Sequence, residues 1–250
     1  MSERSVYVAR WTTDEFDAAV KNRPVIILLP VGAIEPHGPH LPLDTDVIIS
    51  QAACERAAHA LAQRDALALV APPVAYGVTN FAGDFSGAVS VARAALVAYV
   101  RGVVDGWLGA GAAHVCVVNN HLEPAHDAAV RESIAGLTAR QASVASPLTR
   151  RWARTLSDEF KRGACHAGEY ETSIVLAVNP ESVRESTRRT LPDVDVSLSD
   201  AIARGVNTFR AMGLSHSYAG SPARATAAHG QEMLDRLAEM IVGEITEAMG

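Results

Sequence analysis

Aromatic residues make up only 5% of the 250 residues, and there are three cysteines. Cys54, Cys116 and Cys165 are far apart, odd in number and fit no paired zinc spacing. A disulfide framework is therefore excluded, and they read as reduced thiols of a cytoplasmic protein. Basic runs are missing: Lys and Arg total 22 against 28 Asp and Glu, for a formal charge of −6. That balance speaks against a nucleic-acid groove. The longest apolar run, Val25 to Ile34, is about half the roughly 20 residues that a membrane helix needs. Met1 to Arg10 is polar and mixed, without the apolar core of a signal peptide. No Gly-x-Ser-x-Gly elbow and no phosphate loop occurs, which weakens serine hydrolase and kinase readings. Gly109-Ala110-Gly111 comes before a strand rather than after one, the wrong place for a dinucleotide loop. What is present is a globular composition, 48% hydrophobic and 20% charged, and nine histidines, several beside Asp, Glu or Pro.

The chain alternates apolar runs with amphipathic stretches. Thr12 to Glu15 reads as a capping box opening a helix. Val25 to Leu29 is a continuous apolar run, as in a strand buried on both faces of a parallel sheet. Further strands are expected at Leu67–Val74, His114–Val118 and Ile174–Val178. Helices are expected at Val47–Gln63, Ala92–Leu108, Ala125–Arg140 and Ala223–Met249, the last with Met233, Leu237, Met240, Ile241 and Ile245 on one face. This order is that of an α/β layered sandwich, with a mostly parallel central sheet flanked by helices. With no internal repeat or linker, residues 1–250 read as one domain, and the polar stretch from Glu185 to Asp200 as a surface excursion.

In such folds ligands bind beyond the carboxyl ends of the strands. Three clusters lie at such places. The first, Gly32 to Asp46, holds three prolines and two glycines, so it is a loop, yet it carries Glu35, His37, His40, Asp44 and Asp46. Carboxylate with imidazole suits Zn, Mn or Fe better than Mg or Ca. The second, Asn119 to His126, repeats the theme with His121 and Glu123 two apart at a strand end. Asn and Pro124 are also what a helix start requires, but that does not account for His121 and Glu123. His126 reads as a surface residue. The third, Cys165 to Ser173, offers His166 as a proton carrier, with Glu169 and Glu171 unranked by spacing. His59, His114, His216 and His229 lack such a setting.

Taken in this order, the clusters resemble the creatininase family of metal-dependent amidohydrolases. Gly32 to Asp46 looks like that family's Gly-x-x-Glu-x-His-Gly-x-His-Leu-Pro-Leu-x-Thr-Asp signature. Asn119-Asn120-His121 and His166 to Ser173 are similar to two further motifs. Tyr76 to Thr79 and Phe85 to Gly87 resemble its substrate-side loop, and Gly220 to Gly230 its usual ending, so the resemblance spans most of the chain. It implies two divalent ions per chain, Zn first and Mn or Fe otherwise. Glu35 and His121 would bind one ion, His37 and Glu123 the other, with Asp46 bridging and Glu171 a further candidate ligand. A hydroxide shared by the ions would attack a small cyclic amide, with Glu123 at the reacting centre and His166 passing a proton to the leaving nitrogen.

The departures bear on substrate. A family tyrosine is replaced by Leu122, a glutamate by Cys165 and an aromatic residue by Arg162; with Thr79, these are the substrate-side candidates. The metal apparatus resembles the family while the pocket is rebuilt, so creatinine itself is not expected. Arg162 turned inward would favour a carboxylate-bearing substrate, whereas in a solvated Lys161-Arg162 pair it would not. Hydrolysis of a peptide amide or ring C–C bond at the same site, and a non-catalytic metal-binding role in maturation, are the competing readings. The expected partners are a small-molecule substrate and further copies of the chain, by resemblance a hexamer, with no nucleic acid and no membrane.

Overall fold

A computed structural model describes residues 5–64 and 66–250, so the first four residues of the Met1–Arg10 stretch lie outside it. In chain order the elements are α1 (Thr13–Asn22), β1 (Val25–Val31), α2 (Thr45–Ala62), β2 (Leu67–Val70), α3 (Arg93–Gly109), β3 (His114–Asn119) and α4 (Pro124–Ser133). There follow β4 (Ala142–Ala145), α5 (Arg150–Ala153), α6 (Asp158–Lys161), α7 (Glu169–Val178), α8 (Glu185–Arg188), α9 (Leu198–Ala203) and α10 (Ala227–Met249). The capping box at α1 is formed: Thr12 accepts the Glu15 N–H, and Glu15 accepts the Thr12 N–H.

The four strands pair in parallel in the order β2-β1-β3-β4. Every residue of β1 and β3 is buried, which explains why they read as unbroken apolar runs. The pleat sends Ile26, Leu28, Cys116 and Val118 to one face, against α2, α7 and α10. Val25, Ile27, Leu29, Val115 and Val117 go to the other, against α1, α3 and α4. Each such side chain stabilises the fold by about 1.5–3 kcal/mol through burial. Helices thus cover both faces, the layered sandwich expected. Helix α10 crosses α7 backbone to backbone: a Cβ at Gly230 would lie 1.8 Å from the Ser173 carbonyl oxygen. No helix of the described residues is long and apolar enough to cross a membrane.

Several expected elements differ. Ile174–Val178 is not a strand but the end of α7. Tyr170 to Val175 are all buried, so the apolar run carries no period that separates helix from strand. Glu169 and Glu171 in its first turn suit a helix start. The fourth strand is instead Ala142–Ala145, whose small residues give little strand signal. The segment expected to be helical to Arg140 stops at Ser133, and the strand expected to reach Val74 stops at Val70, before Pro72 and Pro73. A 3-10 turn, Pro222–Arg224, precedes α10, which starts at Ala227. The Glu185–Asp200 stretch holds α8 and the start of α9, and Leu198 packs with Phe209, Leu214 and Ala82 in a small core of its own.

Candidate metal centre

Strands β1 and β3 end level, Val31 opposite Asn119, and both chains leave the sheet there. The β1 loop cannot pair regularly because of Pro36, Pro39 and Pro42. It folds back on itself, Glu35 N–H donating to Leu43 O at 3.0 Å, and delivers the chain into α2. A Cβ at Gly32 would lie 2.8 Å from Val47 N, so only glycine lets the strand end pass this close to the first turn of α2. Glu35 and His37 from the loop are thereby set beside Asp46. His121 and Glu123 come from the β3 end, His166 from the turn before α7, and Glu171 from its first turn. All seven are buried.

Asp46 divides its oxygens. Oδ2 lies 2.9 Å from His121 Nδ1, and Oδ1 lies 3.2 Å from His37 Nε2. Glu35 Oε1 is 3.3 Å from His121 Nδ1 and 3.7 Å from both His37 Nε2 and His166 Nδ1. Glu171 Oε2 is 3.6 Å from His37 Nε2. The other ring nitrogens fix the tautomers, since a carbonyl oxygen can only accept. His37 Nδ1–H donates to Glu35 O at 3.0 Å, His121 Nε2–H to Val78 O at 2.8 Å, and His166 Nε2–H to Pro36 O at 2.9 Å. In the neutral rings, then, three lone pairs point inward at carboxylate oxygens. Acceptors facing acceptors need cations between them. His37 Nε2 and Asp46 Oδ2 are indeed buried without a hydrogen bond. Three donor sets have ligand atoms within 4.8 Å of one another: Glu35–Asp46–His121, His37–Asp46–Glu171 and Glu35–His37–His166. The residues fit a pair of metal ions sharing Asp46.

The charges of the side chains themselves set the protonation of these groups. Burial would lower the His37 pKa, but Asp46, Glu171 and Glu35 outweigh it and raise it to about 10. His121 is likewise raised, by Glu35 and Asp46 against burial. Burial would raise Glu35, yet His121 brings it down to about 2; Asp46 is held well below the carboxylate range by His37 and His121. Burial prevails at Glu171, which rises to about 8.

The remaining expected residues are placed as follows. Glu123 is in none of the three donor sets; its Oε2 accepts the Phe81 N–H at 3.1 Å and its Oε1 is unpartnered. Glu171 stands where the resemblance put Glu123, beside His37 and Asp46, because the N–H of Ala167 holds its carboxylate at 2.7 Å. Thr79 does not face the cavity; its hydroxyl donates to Glu35 Oε2 and so orients a ligand candidate. Leu122 and Cys165 do line the cavity, a space of about 440 Å³ also walled by Phe81, Phe160, Phe209 and Leu148. Burial raises the Cys165 thiol, so it is a wall and not a nucleophile. Arg162 is exposed and outside the lining; Arg150, Arg154 and Lys161 take the cationic positions.

His126 corrects another expectation. It is fully buried, not on the surface. Its Nδ1 accepts the Val78 N–H at 3.1 Å and its ring stands edge-on to His121, centroids 4.7 Å apart. Burial, aided by His121, lowers its pKa to about 3. Val78 therefore positions both rings. Pro124 starts α4 directly after Glu123, so the first helical turn stays beside the strand end, a signal the sequence does carry.

Comparison with known proteins gives concordant matches. The family model Creatininase, described as creatinine amidohydrolase, matches residues 9–245. A relative from Mycolicibacterium smegmatis, the mycofactocin precursor peptide peptidase, is 32% identical over 229 residues, 87% of this chain and 82% of that protein. Two solved structures, a creatininase with Mn and a mutant creatininase of the Zn-Zn type, are each 25% identical, with TM-score 0.75 over 98% of both chains.

Proposed function

This chain belongs to the creatininase family, and from that premise we propose that it hydrolyses an amide C–N bond with two divalent metal ions. The observation that carries this reading is the inward-facing set of imidazole lone pairs and carboxylates around Asp46. Glu35, Asp46 and His121 would hold one ion, and His37, Asp46 and Glu171 the other. Zinc is the first assignment and manganese or iron the alternatives; the imidazole–carboxylate set and the Mn and Zn-Zn creatininases support it. When bound, such ions lower the pKa of water and polarise a carbonyl.

The chain's own groups do the rest. His166 keeps its Nε2 proton on Pro36 O, so the proton it moves is held at Nδ1. Burial, together with His37, lowers its pKa to about 4, leaving Nδ1 free near neutrality to take the proton of the attacking water. It then hands that proton to the amide nitrogen, which leaves poorly without one. The His166 ring is clamped between His37 and Phe209, with centroids 4.5 and 4.4 Å away, which fixes its aim. Glu123 presents its unpartnered Oε1 at the reacting centre as a hydrogen-bond acceptor for substrate.

The substrate is read as a small cyclic amide. A peptide amide is the second reading, supported by the peptidase name of the 32% identical relative and by a cavity larger than one small ring requires. A homo-oligomer, by family resemblance a hexamer, completes the proposal; a light-scattering mass of 26.4 kDa would refute that part. Metal analysis of gently purified protein is expected to find about two ions per chain. Asp46→Ala should lose both ions and activity, whereas His166→Gln should keep the ions and lose about 10²–10⁴-fold in kcat. Metal-free protein that hydrolyses amides at full rate would overturn the reading.

A further inference from the structure

The cavity has an acidic floor and a cationic mouth. Glu35, Asp46, Glu123 and Glu171 lie buried at its base. The charged residues of its lining that reach solvent are Arg150, Arg154 and Lys161. Lys161 is paired with Asp158 at 3.1 Å. Arg150 and Arg154 have no ion pair and no side-chain hydrogen bond among the described residues. Arg150 opens α5 and Arg154, four residues on, is its C-cap with helical backbone angles, so the two share a face, and like charges so placed repel by a few tenths of a kcal/mol. Arg151, between them in sequence, is neutralised: it pairs with Glu247 and lies over Trp152. Two free guanidiniums at the mouth of a cavity, on a chain of formal charge −6, are a local reversal of the molecule's sign.

We infer that Arg150 and Arg154 bind a carboxylate of the substrate, remote from the amide that is hydrolysed. This rests on the amide-hydrolase reading of the same site and names its substrate class: an amide carrying a free carboxylate and an apolar group. Guanidinium presents paired N–H donors that match a carboxylate in bidentate fashion. The walls between mouth and floor are apolar, formed by Leu148, Phe81, Phe209 and Ile202, and suit the body of such a molecule. The acidic floor would repel the same carboxylate, so the two charge signs orient the substrate with its anion outward. The role that Arg162 would have had if turned inward thus falls to two residues earlier in the chain.

Calorimetric binding separates this from the reading it rests on. The probes are pyroglutamate and N-benzoylglycine, each against its own carboxamide, titrated into metal-loaded and metal-free protein. The acid is expected to bind about tenfold tighter than its amide in at least one pair. The preference should persist without metal and vanish in the Arg150→Gln/Arg154→Gln variant. Both positions are exposed, and circular dichroism should show that variant folded. Equal binding of acid and amide in both pairs, no measurable binding of either acid, or a preference that survives the double substitution would overturn the inference. Metal-loaded protein that keeps the preference but hydrolyses no amide would sink the hydrolase reading alone.

Discussion

His37, His121 and Glu171 each hold a proton in the metal-free chain at pH 7, because Asp46 and Glu35 raise the two imidazoles and burial raises the carboxyl. A metal ligand must give up that proton, so ion binding should release about three protons per chain. Affinity should rise with pH, less steeply above about 8, where Glu171 ionises unaided, and still rise toward about 10, because His37 keeps its proton until then. Titration calorimetry in buffers of different ionisation enthalpy reads the protons directly; pH-independent affinity without proton release would count against the arrangement. The same shifts set the stability of the metal-free fold. A group with a raised folded pKa stabilises fully below its ordinary value and loses that contribution as pH climbs to the folded one. For Glu171 the window runs from 4.5 to about 8, and for His37 from 6.5 to about 10, so the metal-free fold should weaken steadily toward alkaline pH. Most of these residues are legible in the sequence because chemistry-bearing types crowd a proline-rich loop that has no packing reason to hold them. The place of Glu171 is not legible from spacing, and only the family resemblance names it a candidate, since it depends on the turn at Ala167, whose backbone has φ 52° and whose N–H holds the Glu171 carboxylate.

Elements show where periodicity carries information. Strands β1 and β3 follow from their patterns because each run is buried throughout, and helix α3 because it buries one stripe, Leu96, Val100 and Val104, and leaves the rest wholly or partly exposed. Helix α7 escapes the same reading because α2 and α10 close over Tyr170 to Val175, and a stretch buried on every side has no amphipathic stripe. Strand β4 escapes through its small residues, and Glu159 through lack of any motif. Glu159 is nonetheless what ties the His166 turn down. From α6 its Oε1 accepts the Tyr170 N–H at 2.9 Å and its Oε2 the Ser221 N–H at 2.7 Å, joining the start of α7 to the chain that leads into α10. Glu159→Gln keeps the size but turns an N–H donor toward an N–H donor. It should cost about 2–3 kcal/mol, seen as a fall in Tm of roughly 5–10 °C. Since Glu159 belongs to none of the donor sets, metal content should hold while kcat falls as His166 loses its aim. Loss of metal in this variant would show instead that the whole site depends on it.

At the scale of the molecule, the site joins parts that the sheet alone does not. Its ligand candidates come from residues 35–46, 121 and 171, at the ends of the two central strands and the starts of α2 and α7. Without cations that junction holds three buried carboxyls, Glu35, Asp46 and Glu171, against three imidazoles, and protons carry the balance of charge. Two divalent ions bring four positive charges to a chain of formal charge −6, and they do so only in the folded state, since the unfolded chain scatters the ligands. A species that binds the native state alone stabilises by RT ln(1 + [L]/Kd), about 2.7 kcal/mol when the free ion is at 100 times Kd. For a chain of this size that corresponds to a rise in Tm of roughly 5–10 °C. Chelation should therefore lower Tm by this much, and added Zn²⁺ or Mn²⁺ should restore it in a concentration-dependent way. Asp46→Ala, which removes the shared ligand, should melt at one temperature with or without metal. A wild-type Tm indifferent to both chelator and added ion would mean that the cluster is held together by protons alone, and the two-ion arrangement would have to be abandoned.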